Sequence, residues 1–357
     1  MTIWRPAVFF RVLQKIPESK TEHKQCARRA LLSGKAERRS IMEKVRFGKT
    51  ELMVSKVAFG GIPIQRLSTA EAVKVVAGAI TLGINFIDTA NAYTNSEERI
   101  GLAIKAVPRD SIVLASKSLA RDKKTFLAHL DLSLQRLGTD YIDIYQHHGV
   151  SSADSYKTIM AEGGAFEGMM EAVRAGKVRF PAFSSHSVPL AMEIMKTEQF
   201  AAVQLPFNYV DVEAANEAIA LAKALDMGFI AMKPFGGGLL HDAKLSMKYL
   251  AQFDGIVPDP GIEKLSELKE IISIVESGEG LSAQDEARIE EIKREMGDRW
   301  CHRCDYCQPC PQKISISGVL AVESLIKRMP YPVVVAMGQK NMEAAKGCVG
   351  CRECVAR

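Results

Sequence analysis

An acid and a phenol lie five residues apart in the segment NFIDTANAYTNSEERIGL, residues 85–102. The apolar run that leads into Asp88 predicts a strand, and the pattern from Glu97 onward predicts an amphipathic helix. Tyr93 then lies in the loop after the strand, at the edge where parallel α/β proteins carry their substrate sites. Asp88 and Tyr93 are therefore candidates for acid–base chemistry.

Two later predicted strands end in basic side chains: IVLASKS reaches Lys117, and YIDIYQHH reaches His147 and His148. Because side chains alternate between the two faces of a strand, Lys117 and His148 are predicted to face the same opening, whereas His147 is predicted to be structural. A free phenol has a pKa of about 10, so a neighbouring ammonium would make it a better acid. An aspartate would compensate the charge of that ammonium inside a closed pocket.

The motifs DTANAY, LASKS and DYIDIYQHH occur in this order, and over about residues 54–272 the chain resembles the aldo-keto reductases. The resemblance implies that Tyr93 is the general acid and that Lys117 lowers its pKa. It also implies that Asp88 holds the lysine and that His148 orients a carbonyl. A lone aspartate is more often a helix cap and a lone tyrosine more often a core residue, but four matching groups on three successive strands favour a catalytic site.

Predicted strands and helices alternate about every 30 residues through eight units. This alternation favours a (β/α)8 TIM barrel over an open doubly wound sheet, and no GxGxxG motif follows the first strand. We expect the barrel in residues 42–280. Residues 1–41 are expected to be a disordered basic leader or an overcalled translation start, and residues 281–357 a helical linker with a small cysteine-rich domain.

The resemblance also implies a nicotinamide site at the later strands. In FSSHS, Ser184 and Ser185 stand where the family usually has Ser-Asn, and Gln204 stands where the family has the Gln that binds the carboxamide of the cofactor. Hydroxyl and amide groups can form such hydrogen bonds. In MKPFGGG, glycines would let the backbone approach the pyrophosphate, although glycine runs are usually turns. The predicted cofactor-binding residues are Ser184, Ser185, Gln204, Lys233, Pro234, Gly236, Gly237 and Lys264.

Two further positions depart from the family pattern on this side of the barrel. Met232 stands where an aromatic side chain usually stacks on the nicotinamide, and a thioether packs there with less geometric definition. Glu267 lies where the family places an arginine for the 2′-phosphate, and Lys264 is the nearby basic residue that can substitute. NADPH and NADH therefore both stay open.

Seven of the eight cysteines follow residue 300, in the runs CHRCDYCQPCP and CVGCREC. Overlapping C-x-x-C units with a Cys-Pro resemble the ferredoxin-type iron–sulfur domain of a subset of aldo-keto reductases. Zinc is the alternative, but zinc sites usually pair two C-x-x-C units across a longer loop. The predicted metal ligands are Cys301, Cys304, Cys307, Cys310, Cys348, Cys351 and Cys354.

The ferredoxin pattern implies that the last three of these cysteines take Cys310 and complete one [4Fe-4S] set. The first triplet would then need a Cys-Pro just after Cys354, where the sequence ends at Arg357. Three explanations stay open: a truncated chain, an iron site that is open or has a non-cysteine ligand, or Cys310 as the ligand of the first cluster. One or two clusters are expected.

The net charge of +5 comes from the leader, since residues 1–41 hold ten Lys and Arg against three acids. The rest of the chain is slightly acidic and has no apolar run of 18 residues, so neither nucleic acid nor a membrane is an expected partner. We expect a cytoplasmic oxidoreductase that transfers hydride from NADPH or NADH to a small-molecule carbonyl and is coupled to or stabilised by iron–sulfur clusters. The alternative is an electron-transfer or redox-sensing protein that uses the barrel to dock a ferredoxin or other electron carrier.

Overall fold

Eight parallel strands form a closed barrel in the computed structural model, which describes residues 42–296, 300–301 and 307–355, without the side chains of residues 215–216. Neighbouring strands follow each other in chain order. The backbone N–H groups of Ala58 and Gly60 donate to the oxygens of Pro258 and Pro260 at 2.9 Å, which joins the first barrel strand to the last. The barrel strands are β3 Phe59–Gly60, β4 Phe86–Asp88, β5 Val113–Ser118, β6 Ile142–His147, β7 Val178–Ser184, β8 Ala202–Pro206, β9 Gly228–Met232 and β10 Ile256–Asp259.

A short hairpin closes the amino-terminal end of the barrel. Its strands, β1 (Lys44–Arg46) and β2 (Met53–Ser55), pair antiparallel. Phe47, between them, packs into the barrel interior with its ring 5.3 Å from that of Phe86. Residues 53–55 pair within the hairpin, so the first strand of the barrel itself is limited to Phe59–Gly60. The opposite end of the barrel, at the carboxyl ends of the strands, is therefore available for a functional site.

Helices on the outside connect the strands, and several begin where the sequence offers a cap. The backbone N–H of Ser68 donates to Glu71 Oε2 at 3.0 Å, and that of Glu71 donates back to Ser68 Oγ at 3.3 Å. Such reciprocal bonds satisfy N–H groups that the first turn leaves unpaired. The helices are α1 Thr69–Thr81, α2 Ser96–Ile104, α3 Lys123–Leu137, α4 Ala153–Met160, α5 Ala165–Arg174, α6 Val188–Met195, α7 Glu213–Asn216, α8 Ala218–Ala224, α9 Ala243–Leu250 and α10 Leu265–Ser277.

This alternation of strands and helices confirms the predicted (β/α)8 barrel. Apolar side chains between the strands and the helix ring form its main core, and those inside the barrel form a smaller one. In the described part of the chain, no helix has the length and apolar character needed to cross a bilayer.

The chain continues beyond the barrel through α11, Ala283–Met296. Ile289 of α11 is buried against a small cluster that contains Tyr209, Leu240 and Leu245 of the barrel. Residues 300–301 and 307–355, called the C-terminal segment below, then carry α12 Ile316–Leu320, α13 Val322–Arg328 and α14 Tyr331–Ala345. The leader, residues 1–41, and Cys304 lie outside the described residues.

Candidate active site

A buried ion pair joins the ends of two adjacent strands. Lys117 Nζ of β5 lies 2.5 Å from Asp88 Oδ2 of β4 and donates to the carbonyl oxygen of Thr89 at 2.8 Å. Each of the two charged side chains is at most 3 % exposed. Parallel pairing of β4 with β5 sets Asp88 beside Ala115, so Lys117, two residues further on, emerges on the same face just beyond the carboxylate.

Tyr93 and His148 lie next to this pair. Lys117 Nζ is 5.3 Å from the centroid of the Tyr93 ring, and the Tyr93 and His148 rings meet edge to face with centroids 5.8 Å apart. The loop that follows β4 holds Tyr93 through its backbone N–H, which donates to the carbonyl oxygen of Ala90 at 2.9 Å. The structure thus brings together the four side chains that the sequence motifs singled out.

The charges of this group depend on its burial. Burial raises the pKa of Tyr93, and the Lys117 ammonium opposes that shift. Burial by itself would lower the pKa of Lys117, but the carboxylate of Asp88 reverses the effect, so the lysine stays protonated. Burial, followed by the charge of Lys117, lowers the pKa of His148 to about 3, which makes its imidazole neutral near pH 7.

A cleft of about 760 Å³ opens over these residues, within the size range of small-molecule sites. Asp88, Tyr93 and His148 line it from the barrel. The C-terminal segment forms its opposite wall, and Arg328 acts on Tyr93 by lowering the pKa of the phenol, although less than Lys117 does. Other wall residues from this segment are Gly318, Ala321, Leu325, Met329, Met337 and Asn341.

Sequence reasoning missed Asp259 and Arg328. Asp259 ends β10, is buried and lines the cleft, and its position at a strand end was the available signal. Gln204 Nε2 lies 3.1 Å from Asp259 Oδ2 and 3.4 Å from Asp88 Oδ2. Arg328 gave no such signal, because only the folding of α13 back over the barrel brings it to the cleft.

The residues predicted for the carboxamide differ in their surroundings. Gln204 lines the cleft, and its Oε1 is buried without a hydrogen-bond partner among the described residues, so it is an acceptor open to a ligand amide. Ser184 Oγ accepts the backbone N–H of Gly149, and Ser185 Oγ accepts that of Ser187, both at 3.0 Å. The role of both serines in cofactor binding stays a prediction.

The glycine run after β9 packs against the C-terminal segment. A Cβ on Gly236 would meet the Trp300 ring, and one on Gly237 would meet Ser324 Oγ. Lys233, Pro234 and Gly237 line the cleft, so the loop still borders the space in which a nucleotide would lie. The close approach that these glycines permit is to Trp300 and to helix α13 of the same chain, and their predicted contact with a pyrophosphate stays a prediction.

At the start of α10, backbone N–H groups form hydrogen bonds with a side chain of the same helix. The Glu267 carboxylate accepts the backbone N–H groups of Glu263 and Lys264, each at 3.0 Å, and Glu267 lines the cleft. The Lys264 side chain is exposed at this helix start. A second anion at the same place would meet a carboxylate instead of free N–H groups.

Four cysteines from the two ends of the C-terminal segment line one further pocket of about 210 Å³: Cys310, Cys348, Cys351 and Cys354. Its other walls are mostly apolar and include Ile314, Ile316, Val319 and Leu320. A [4Fe-4S] cluster takes four cysteine thiolates, and whether these four cysteines hold one stays a prediction. Within residues 42–296, 300–301 and 307–355, no three His, Cys, Asp or Glu side chains are grouped closely enough for a single metal ion.

Comparisons with known proteins agree with the barrel. An uncharacterized oxidoreductase of Bacillus subtilis, YqkF, is 29 % identical over 218 residues, which cover 57 % of this chain and 68 % of that protein. The aldo-keto reductase str7 of Strobilurus tenacellus is 31 % identical over 208 residues, which cover 53 % of this chain and 60 % of str7. The chain thus spans about 60–68 % of the length of these two relatives.

A solved structure shows the same fold. The aldo-keto reductase from Klebsiella pneumoniae in complex with NADPH superposes with a TM-score of 0.60 at 21 % identity, over 71 % of this chain and 95 % of the other. The model of the aldo/keto reductase family matches residues 56–255, more than half of the sequence. These residues carry the ion pair, the phenol and the imidazole described above. The chain therefore belongs to the aldo/keto reductase family, a family of oxidoreductases.

Proposed function

We propose that this protein reduces the carbonyl group of a small molecule with hydride from NADPH or NADH, and that Tyr93 is the general acid. The observation that carries the proposal is the buried Lys117–Asp88 pair next to Tyr93 on one cleft wall. An ammonium held beside a phenol favours the phenolate that proton donation leaves behind. Asp88 keeps that ammonium charged and in place.

His148 completes the contact with the substrate. Its imidazole is neutral near pH 7, so it binds a carbonyl oxygen by donating one N–H and does not compete with Tyr93 as an acid. The edge-to-face contact with Tyr93 sets both groups at one point of the cleft. A carbonyl oxygen at this point would accept hydrogen bonds from the phenol and from the imidazole.

A bound nicotinamide would supply the hydride. Gln204 Oε1 fits the carboxamide, since this buried acceptor has no partner in the described part of the protein and the carboxamide carries N–H donors. Glu267 at the start of α10 would repel a 2′-phosphate placed there, which favours NADH over NADPH. Ser184, Ser185 and the loop around Lys233 are the other groups that we propose for cofactor binding.

We also propose that Cys310, Cys348, Cys351 and Cys354 hold one [4Fe-4S] cluster. Support comes from their common apolar pocket, because thiolates in such a pocket are the usual ligands of a cubane cluster. The absence of a disulfide at the described positions Cys301, Cys310, Cys348, Cys351 and Cys354 agrees with a reducing compartment such as the cytoplasm. Whether Cys301, Cys304 and Cys307 hold a second cluster stays open.

The cysteine pocket and the active-site cleft share two helices. Ile316, Val319 and Leu320 of α12 line the cysteine pocket, whereas Gly318 of the same helix lines the cleft. Helix α14 likewise ends at Ala345 in the cysteine pocket and contributes Met337 and Asn341 to the cleft. Occupied cysteines would therefore hold the helices that wall the active site. This arrangement supports a reductase that its cluster stabilises.

The alternative function, electron transfer, would depend on the same helices between the cysteine pocket and the cleft. A cluster behind α12 would lie close to a nicotinamide in the cleft, and a ferredoxin or other carrier would be the external partner. It carries a chemical difficulty, because a hydride moves two electrons together and a cluster moves one. Reduction of the cluster by a low-potential carrier without nicotinamide, with no carbonyl reduction, would favour this alternative.

The reductase proposal is tested by Tyr93→Phe in protein purified without oxygen and assayed with NADH, NADPH and a panel of aldehydes and ketones. We expect the variant to lose about 10²–10⁴-fold in kcat while it binds nicotinamide as the wild type does, because only the proton donor is removed. Tyr145→Phe is the matched control, a buried tyrosine outside the lining of the cleft. Unchanged turnover in Tyr93→Phe would contradict the mechanism.

The cluster proposal is tested on the same preparation by analysis of iron, sulfide and zinc and by the absorption spectrum. We expect about four irons and four sulfides for one cluster and about eight of each for two. Zinc without sulfide would contradict an iron–sulfur site.

A further inference from the structure

Asp259 is a second carboxyl group beside the catalytic ion pair, and the mechanism above leaves it without a role. It is the last residue of β10, is 8 % exposed and lines the cleft. Gln204 places one amide nitrogen 3.1 Å from Asp259 and 3.4 Å from Asp88, so the two carboxyl groups lie on either side of a single donor. Of these two carboxyl groups, it is Asp88 that forms the ion pair with Lys117.

The second carboxyl oxygen of Asp259, Oδ1, has space beside it but accepts no hydrogen bond from the described residues. Asp259 Oδ1 is buried without a hydrogen-bond partner among the described residues. Gly60 makes the room, since a Cβ at that position would lie 3.0 Å from Oδ1. An ionised oxygen that is buried and receives no hydrogen bond is costly, and a proton on this carboxyl removes the cost.

The surrounding charges also favour the protonated form of Asp259. Asp88 from β4 repels a charge on Asp259, whereas Lys117 from β5 attracts it but is already paired. A negative charge on Asp259 raises the pKa of Tyr93, and the positive charge of Arg328 from α13 lowers it. Burial, followed by the charge of Asp88, raises the pKa of Asp259 well above its ordinary range.

We propose that Asp259 is a positioning residue of the active site, which holds a proton beside Asp88 and thereby keeps Tyr93 an effective proton donor. The proposal rests on the role of Tyr93 given above. With Asp259 protonated, the charges of Asp88 and Lys117 balance each other. When Asp259 loses its proton, a second negative charge acts on Tyr93, and the phenol becomes a weaker acid.

Infrared spectroscopy tests the proton directly and needs no substrate. In the wild type labelled with ¹³C-aspartate, we expect the stretching band of a protonated carboxyl to persist near neutral pH and to shift with the label. Asp259→Asn, which is close in shape and neutral at every pH, should lack that band. Absence of the band in the wild type at neutral pH, or its survival in Asp259→Asn, would overturn the proposal. Absence of the band in the wild type is decisive even if the variant fails to fold, and the measurement is readable even if carbonyl reduction is not the activity.

The pH profile of carbonyl reduction tests the effect on Tyr93. We expect kcat of the wild type to fall on the alkaline side as Asp259 ionises, and the fall in Asp259→Asn to shift upward by about one pH unit or more. Asp143→Asn is the matched control, since Asp143 is also buried in the barrel but is paired with Arg109 and Arg179 at 2.7 Å each and lies outside the cleft lining. It should lower stability and leave the profile in place. Coincident profiles for Asp259→Asn and the wild type would exclude the positioning role.

Discussion

Trp300 donates a hydrogen bond from Nε1 to Asp211 Oδ1 at 2.8 Å, which ties the C-terminal segment to the loop after β8. On the other side of the cleft, Gln65 Nε2 lies 3.6 Å from Met329 Sδ of this segment, and Thr94 donates to Gln65 Oε1 at 2.9 Å. The segment is therefore held at both sides of the cleft, next to Tyr93. It is a wall of the candidate active site as well as the part that carries the cysteines.

Gly236→Ala should loosen this wall. The new Cβ would meet the Trp300 ring, and the φ of +56° at Gly236 disfavours any side chain. We expect faster proteolysis and faster amide hydrogen exchange in residues 316–345, together with weaker nicotinamide binding. Gly176→Ala is the control, because Gly176 has a φ of +73° and no atom of the described residues lies within 4 Å of the added Cβ.

Both variants should lose about 1–2 kcal/mol of stability from the backbone conformation, but only Gly236→Ala should alter the C-terminal segment. Equal exchange in this segment for the two variants would mean that the glycine run does not position the wall.

Lys117→Met should destabilise the protein as well as inactivate it. The change leaves the buried Asp88 carboxylate without its cation, which costs about 3–5 kcal/mol when a buried pair is broken. The additional replacement Asp88→Asn should recover much of that loss without restoring activity, because the unpaired charge is then gone. Denaturant unfolding of both variants measures the effect.

The control for this prediction is Lys177→Met, which breaks an ion pair of 2.7 Å to Asp131 in which both side chains are exposed. Its free energy of unfolding should change by less than about 1 kcal/mol. Similar losses for Lys117→Met and Lys177→Met would contradict the assignment of a buried, functional pair.

His147→Leu should make stability less sensitive to acid. His147 packs against Phe126 and Phe200, and burial lowers its pKa to about 3. The unfolded chain has a pKa of about 6.5 at this position, so below that pH it binds a proton that the folded protein excludes. The contribution of His147 to the free energy of unfolding is therefore fully present above about pH 6.5 and is lost as the pH falls toward 3.

Between pH 6.5 and pH 5, the wild type should lose about 2 kcal/mol more than His147→Leu, as measured by urea unfolding. The contribution of His148 is present in both proteins and cancels. Parallel pH dependences would show that His147 is not held neutral in the folded state.

Cys348→Ser and Cys301→Ser should differ in metal content. Cys348 lines the four-cysteine pocket, whereas Cys301 does not, so the first variant should lose about four irons and the second should keep them. Iron and sulfide analysis of the two proteins after anaerobic purification gives the comparison. Loss of iron in Cys301→Ser with full retention in Cys348→Ser would contradict the proposed ligand set.

Local pattern in the sequence was sufficient for the barrel and for the group around Tyr93. Asp88, Lys117 and His148 each follow an apolar strand, and the period of two along a strand determines which side chains share a face. Parallel strands align their carboxyl ends at one edge, so three local predictions become one site. This reasoning needs no contact between residues that are distant in sequence.

The tertiary structure alone decided what surrounds that site. Asp259 meets Asp88 only because β10 closes the barrel onto β3, and Arg328 reaches the cleft only because α13 folds back across it. The glycine run was interpreted as a nucleotide loop, yet Trp300 and Ser324 pack onto it from more than 60 residues away. Burial and the neighbouring charges set the ionisation of these groups, and both depend on long-range packing that no local pattern in the sequence encodes.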